Sequence, residues 1–264
     1  MEITGYAAAL AIGLLLGLIG GGGSILTMPV LVYLFGLAPL QATSYSLLIV
    51  GVVSLFGFIT HYRRDLVDIR TGLLFGLPSV LTVFLTRHFL LPALPDVLLT
   101  ITGKPIHTNF LLMMLFAILM IAASIAMIRD RGQTVAYSHA MALSPALLAG
   151  YGALLGIVTG LLGAGGGFLL IPALTIFAKL PFRTAVGTSL MIITLNAVIG
   201  VLADAGHMSF NWSLFGGIIA IAMAGMFAGL RFSRSIPAAG LRKVFGVFVL
   251  VIAAYILVSE LIKL

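Results

Sequence analysis

Two glycine clusters constrain this chain more than any other feature. Gly20 to Pro29 reads GGGGSILTMP, and Gly163 to Pro172 reads GAGGGFLLIP. Each interrupts an apolar segment, from about 4 to 36 and from about 142 to 178, that is too long for one ordinary membrane span and too short for two. Glycine costs a helix interior about 1 kcal/mol relative to alanine, so a run of glycines opens the helix.

The apolar background makes that opening consequential. Hydrophobic residues are 61% of the 264 and charged residues 8%, against about 25% charged in a soluble domain, so the chain reads as an integral membrane protein. Uncharged windows such as Leu111 to Ile128 and Val244 to Val258 suit a hydrocarbon core about 30 Å thick, crossed at about 1.5 Å per residue. Helices are implied, since outer-membrane strands are short and alternating. The net charge of +7 comes from 14 Lys and Arg that sit in short clusters between apolar segments. Membrane proteins place orienting charges there, and nucleic acid is discarded as a partner. With no cysteine, disulfides, thiol catalysis and cysteine metal sites are excluded. Glu2, with no basic residue before the first apolar stretch, is the wrong start for a cleaved signal peptide, and the first helix is expected to stay in the mature protein.

Charges, prolines and turn residues divide the chain into eight apolar segments, at about 4–36, 42–61, 69–91, 109–128, 142–178, 184–204, 211–231 and 240–261. An offset of 143 aligns residues 13–57 with 156–200 without a gap, and 15 of the 45 positions are identical. The matches include Gly17/Gly160, Gly20/Gly163, Gly22/Gly165, Gly23/Gly166, Pro29/Pro172, Ala42/Ala185, Ser46/Ser189 and Gly57/Gly200. The expected fold is an all-α polytopic membrane protein with two four-segment repeats, 1–131 and 132–264, in a single integrated transmembrane domain. Pro92 to His107 has no counterpart in the second half and is expected to be an external loop or a short interfacial helix.

Charge distribution orients the repeats. If all eight segments cross, the basic residues divide 8 against 6 between the two faces, which orients nothing. If segments one and five dip in and return, one face collects Arg63, Arg64, Arg70, Arg129, Arg131, Lys179, Arg183, Arg231, Arg234, Arg242 and Lys243. Only Arg87, Lys104 and Lys263 remain opposite. The positive-inside rule therefore favours inverted repeats with segments one and five broken or re-entrant, half-helices reaching mid-membrane, and both termini extracytoplasmic.

Opening a helix in lipid frees backbone N–H groups that must face protein, water or a ligand. A helix N-terminus carries the equivalent of about +0.5 charge, so two such ends at mid-membrane would hold an anion without a buried Lys or Arg. Gly21, Gly22, Gly23 and Ser24 in the first cluster, and Gly165, Gly166 and Gly167 in the second, are the expected substrate-binding backbone. Gly13-xxx-Gly17 and Gly156-xxx-Gly160 read instead as helix-packing pairs. Thr43, Ser44 and Ser46 in segment two, and Thr188, Ser189 and Asn196 in segment six, offer hydroxyls and an amide; Ser46, Ser189 and Asn196 are the leading candidates to line the path. The competing reading gives such hydroxyls a hydrogen bond to their own helix. His61 and Asp204 correspond under the offset. They are read as solvated ends of segments two and six, with proton coupling as the alternative. His88, His107, His139 and His207 lack metal-ligand spacing, so no metal and no cofactor are expected. HExxH, GxSxG and a phosphate-loop lysine are absent, and no enzyme activity is expected.

GLIGGGGSILTMPVL at Gly17 to Leu31 followed by QATSYSL, and GLLGAGGGFLLIPAL at Gly160 to Leu174 followed by TAVGTSL, resemble the TauE/SafE sulfite exporter family, also known as four-toluene sulfonate uptake permeases. The resemblance covers nearly the whole chain. It implies a secondary permease of the bacterial inner membrane that carries sulfur-containing oxyanions such as sulfite or organosulfonates by alternating access. Ser24, where the second repeat has Gly167, and the extra stretch from Pro92 to His107 depart from the duplicated pattern and bear on substrate choice. The alternatives are an anion channel, a permease for a non-sulfur organic anion, or a non-transporting scaffold. A proton or other coupling ion and a homo-oligomeric assembly stay open as partners beside the small anionic substrate and the lipid bilayer.

Overall fold

The computed structural model describes residues 2–95, 97–101, 104–129, 144–163, 165–204, 212–233 and 238–262. Arg131, Arg234, Lys263, His139 and His207 lie outside them. The first segment is α1 (Glu2–Ile19), a 3₁₀ stretch (Gly20–Leu26) and α2 (Thr27–Tyr33). Next come α3 (Pro39–Tyr62), α4 (Ile69–Leu85), a π-helical segment (Thr86–Leu90) and the short α5 (Leu91–Ala93). The antiparallel strands β1 (Val97–Ile101) and β2 (Lys104–His107) precede α6 (Thr108–Arg129). The second half holds α7 (Pro145–Leu162), α8 (Gly167–Ile176), α9 (Phe182–Asp204), α10 (Trp212–Phe232) and α11 (Ala238–Ile262).

Local chemistry sets the helix ends. Pro39 opens α3 after an extended Ala38, as the fixed proline φ favours at a first helical position. Asp68 caps α4 by accepting from the Thr71 N–H, and Ser144 caps α7 ahead of Pro145. Gly163, at φ 64°, closes α7 in the left-handed conformation and donates its N–H to the Thr159 carbonyl. The stretch between Pro92 and His107 forms a small β-hairpin, with Ile101 opposite Lys104, where a loop or interfacial helix is expected. The architecture is otherwise the all-helical membrane bundle foreseen. Seven described stretches are long and apolar enough to cross a bilayer. Leu77, Leu81, Leu202, Val244 and Val251 turn outward, as lipid-facing side chains do.

By length alone Thr4–Tyr33 is one of those stretches, but its internal contacts show that it doubles back. The Tyr6 and Phe35 rings meet edge to face with centroids 6.5 Å apart, and Gly23 abuts the backbone of Leu15 and Leu16. A continuous helix would hold residues 16 and 23 about 10 Å apart. The first segment is therefore an antiparallel hairpin that turns at Gly20. The second glycine cluster does the same: Tyr151 stacks on Phe177 at 4.0 Å, and Gly166 lies against Thr159.

Each hairpin packs on a helix of the other half. Gly13 meets the Ala222 backbone and Gly225 the Leu10 backbone, which joins α1 to α10; Gly152 meets Phe75 and Gly156 meets Ser79, which joins α7 to α4. Between the hairpins α3 and α9 cross antiparallel, with Gly51 on Ala197, Gly57 on Leu190, Gly187 by His61 and Gly200 on Leu47. Small residues at these crossings let the helices approach closely where lipid offers no hydrophobic drive to associate.

Candidate substrate site at the glycine breaks

The two clusters, far apart in sequence, touch. A Cβ built on Gly167 would fall onto the Gly21 carbonyl oxygen, and one built on Gly21 would lie 2.7 Å from the Gly167 Cα. Gly21 and Gly165 both pack on Ile193, at the middle of α9, and Gly165 also meets Val50 at the middle of α3. The hairpins go deeper than half-helices reaching mid-membrane. Gly20 lies against Val186, near the start of α9, and Gly163 against Thr43, near the start of α3. They slide past one another and meet along their flanks. Gly20 to Leu26 and Gly165 to Gly167 are all buried.

The two tips differ chemically. In the first, the return begins as a 3₁₀ helix and becomes α-helical only for the seven residues of α2. The Ser24 hydroxyl donates to the Gly21 carbonyl at 2.7 Å, closing the turn on itself. Gly22 contacts Ile19 and Phe245, and Gly23 the backbone of Leu15 and Leu16. In the second tip, Gly165 and Gly166 take φ 66° and 64°, a left-handed geometry that glycine adopts at low cost. The ten-residue α8 then starts at Gly167 without a side-chain cap.

The polar candidates divide. Ser46 and Asn196 are fully buried; the Ser46 hydroxyl and the Asn196 carbonyl oxygen have no partner, while the Asn196 amide donates to Ser79 at 2.9 Å. Ser189 instead donates to the Val186 carbonyl of its own helix at 2.8 Å. The Thr188 hydroxyl accepts the Asp68 N–H at 3.0 Å, tying the α3–α4 turn to α9. Thr43 donates to the Leu40 carbonyl at 2.8 Å.

Asp204 and His61 are not solvated ends: their relative exposures are 7% and 9%. His61 Nδ1 lies 2.9 Å from the Gly57 carbonyl oxygen. Asp204 forms a buried ion pair with Arg87, whose Nε donates to Oδ1 and Oδ2 at 2.9 and 3.0 Å. Arg87 also donates to the Gly160 carbonyl at 2.9 Å and to the Ser44 hydroxyl. The extra residue of the π turn rotates it inward, while its neighbours Leu85, Phe89 and Leu90 face out. Glu260, 5% exposed, is a second buried carboxylate and accepts from the Tyr33 hydroxyl at 2.9 Å. Sequence reasoning counted Arg87 among the face charges and passed over Glu260. An ionisable residue inside an apolar segment is the signal that flags both. Among the described residues no group of His, Asp and Glu is placed to hold a metal.

Comparison with known proteins agrees with this architecture. The family described as Sulfite exporter TauE/SafE matches residues 6–256. A protein of Xylella fastidiosa named "Probable membrane transporter protein" is 31% identical over 251 residues, which is 93% of this chain and 91% of the relative. A protein of Bacillus subtilis named as a probable membrane transporter is 24% identical over 238 residues, covering 79% of this chain and 82% of its own. One from Methanocaldococcus jannaschii, also named as a probable membrane transporter, is 36% identical over 116 residues, covering 41% of this chain and 43% of its own. No solved structure matches.

Proposed function

The chain belongs to the sulfite exporter TauE/SafE family and is a membrane transporter; we propose that it is a secondary active transporter of small sulfur-containing oxyanions, such as sulfite or organosulfonates, working by alternating access in the bacterial inner membrane. The observation that carries the reading is the direct contact of the two glycine breaks, Gly21 on Gly167, beside the midpoints of α3 and α9. Discontinuous helices in corresponding positions of two halves are where transporters bind their substrates, and backbone N–H groups opened there favour an anion. The charge distribution of the sequence supports extracytoplasmic termini and inverted halves.

The packing supports a rocking motion. Each hairpin is bound to a helix of the opposite half, α1 to α10 and α7 to α4, through a row of close glycine-to-backbone contacts. Relative movement then falls on the flank where the tips meet. The buried tips correspond to a closed state, and either hairpin withdrawing would expose them to one face.

Proteoliposome uptake of radiolabelled sulfite, set beside planar-bilayer recording, tests the proposal. Saturable uptake without unitary currents is expected. Unitary currents would make the protein an anion channel, and uptake of carboxylates with no sulfur oxyanion would replace the substrate class.

A further inference from the structure

The tips are related by the repeat but not in their chemistry. Under the 143-residue offset Gly23 corresponds to Gly166, Ser24 to Gly167 and Leu16 to Thr159. The structure places these pairs alike: Gly23 sits on Leu16 in the first hairpin, and Gly166 sits on Thr159 in the second. A Cβ built on Gly166 would collide with the Thr159 Oγ1 itself. Thr159 is 1% exposed and its hydroxyl has no hydrogen-bond partner, although threonines in membrane helices commonly donate to the carbonyl four residues back. Thr60, Thr82, Thr175 and Thr194 all do so here. A buried hydroxyl left unpaired is destabilising. This one adjoins the start of the ten-residue α8, which no side chain caps and where the N–H groups that precede the first intrahelical bonds and a partial positive charge come together. The opposite tip also has a buried hydroxyl without a partner, Thr27 at the start of α2, but there the backbone N–H already donates to the Ser24 carbonyl and the residue lines an apolar cavity with Ala9, Ile12, Ile218 and Ala222. The serine of that tip is consumed by the Gly21 carbonyl, Leu16 stands in the place of Thr159, and the helix that follows is only seven residues long.

We propose that the oxyanion is bound by one hairpin only: the Thr159 hydroxyl and the backbone N–H groups at the start of α8 hold it, and the first hairpin, whose Gly21 backbone lies on Gly167, closes over it. The inference rests on the transport reading above and adds a residue and an asymmetry to it. The hydroxyl donates one hydrogen bond to an anion oxygen and the first turn of α8 supplies the others, so no buried cation is required. Gly167, where the first repeat has Ser24, adds no side chain, and the space beside it is taken by the Gly21 backbone and Ile193, which must draw back for the anion to enter.

Isothermal titration of the purified full chain with sulfite, methanesulfonate, acetate and chloride, paired with thermal unfolding without anion, tests this. Thr159→Val keeps the shape and removes the donor. Its Kd for the bound anion should rise about tenfold, the equivalent of about 1.4 kcal/mol, while its anion-free Tm stays level or rises because an unpaired hydroxyl has gone. Thr159→Ser should bind as the wild type does. Leu16→Val, at the matching place in the first hairpin, should leave the Kd within about twofold. Unchanged affinity in Thr159→Val, an equal loss in Leu16→Val, or a Thr159→Val protein that loses anion-free stability or does not fold would overturn the assignment and leave the transport reading standing. Binding of acetate or chloride alone, with the same dependence on Thr159, would uphold the site and overturn the sulfur-oxyanion class. A wild-type protein that binds none of the four would overturn both.

Discussion

Arg87 and Asp204, 117 positions apart, form an ion pair with both side chains removed from solvent. The pair joins the π turn after α4 to the last residue of α9, and through the Gly160 carbonyl and Ser44 it also reaches the end of α7 and the start of α3. Breaking such a pair from one side leaves an uncompensated charge and costs about 3–5 kcal/mol, whereas replacing both partners by apolar groups is often neutral. Asp204→Ala should therefore lower the unfolding midpoint steeply, and Arg87→Met with Asp204→Leu should recover most of the loss. Thermal unfolding in detergent checks both. A single Asp204→Ala variant as stable as the wild type would mean that water reaches the pair.

Two glycines on one helix separate packing from propensity. Gly152 of α7 lies against the Phe75 carbonyl with no space for a Cβ, while Gly150, two residues earlier, has nothing within 4 Å. Gly152→Ala should force α4 and α7 apart and cost about 1–3 kcal/mol. Gly150→Ala should be neutral or stabilise by up to about 1 kcal/mol. Urea or heat unfolding of the two variants in parallel gives the comparison, and equal effects would contradict the α4–α7 contact.

The hairpins were legible because their signals are local and repeated. A glycine run has one physical consequence in an apolar helix, and the second copy in register made chance improbable. The orphan Thr159 was legible in principle, since it is a polar departure from Leu16 inside a matched stretch, but only the contact with Gly166 gives that departure meaning. Closeness along the chain does not tell the partners of Thr188 and Ser189. They follow the second cluster in sequence, yet Thr188 receives the Asp68 N–H and Ser189 bonds to its own helix. The Arg87–Asp204 pair joins segments whose adjacency no periodicity encodes, and for that reason their charges read as ordinary segment ends.

The contact between the tips supplies a transport prediction. Gly167 has a backbone that any residue can adopt, so Gly167→Ala adds only a methyl group, but that methyl meets the Gly21 backbone and Ile193. If the tips must close on each other during the cycle, about 1–3 kcal/mol of overpacking should slow uptake by about tenfold or more. Gly216→Ala on α10, with nothing within 4 Å of the added atom, should transport normally. Uptake rates in proteoliposomes at matched protein content decide it; full activity in Gly167→Ala would separate the tip contact from transport.

Because the chain has no cysteine of its own, single introduced cysteines can test how the first segment lies in the membrane. One continuous 30-residue span from Thr4 to Tyr33 would put Glu2 and Ala38 on opposite faces. The hairpin, with Tyr6 against Phe35 and Gly23 against Leu16, puts them on the same face. The length of α3, 24 residues or about 36 Å, then carries the chain across to the Arg63–Arg64 turn, which the positive-inside rule assigns to the cytoplasm. Glu2→Cys and Ala38→Cys should both react with a membrane-impermeant maleimide added to intact cells, and Arg63→Cys, an exposed position, should react only in inverted vesicles. Labelling of Glu2→Cys and Ala38→Cys from opposite faces would turn the first segment into a crossing helix and remove the inverted arrangement with it.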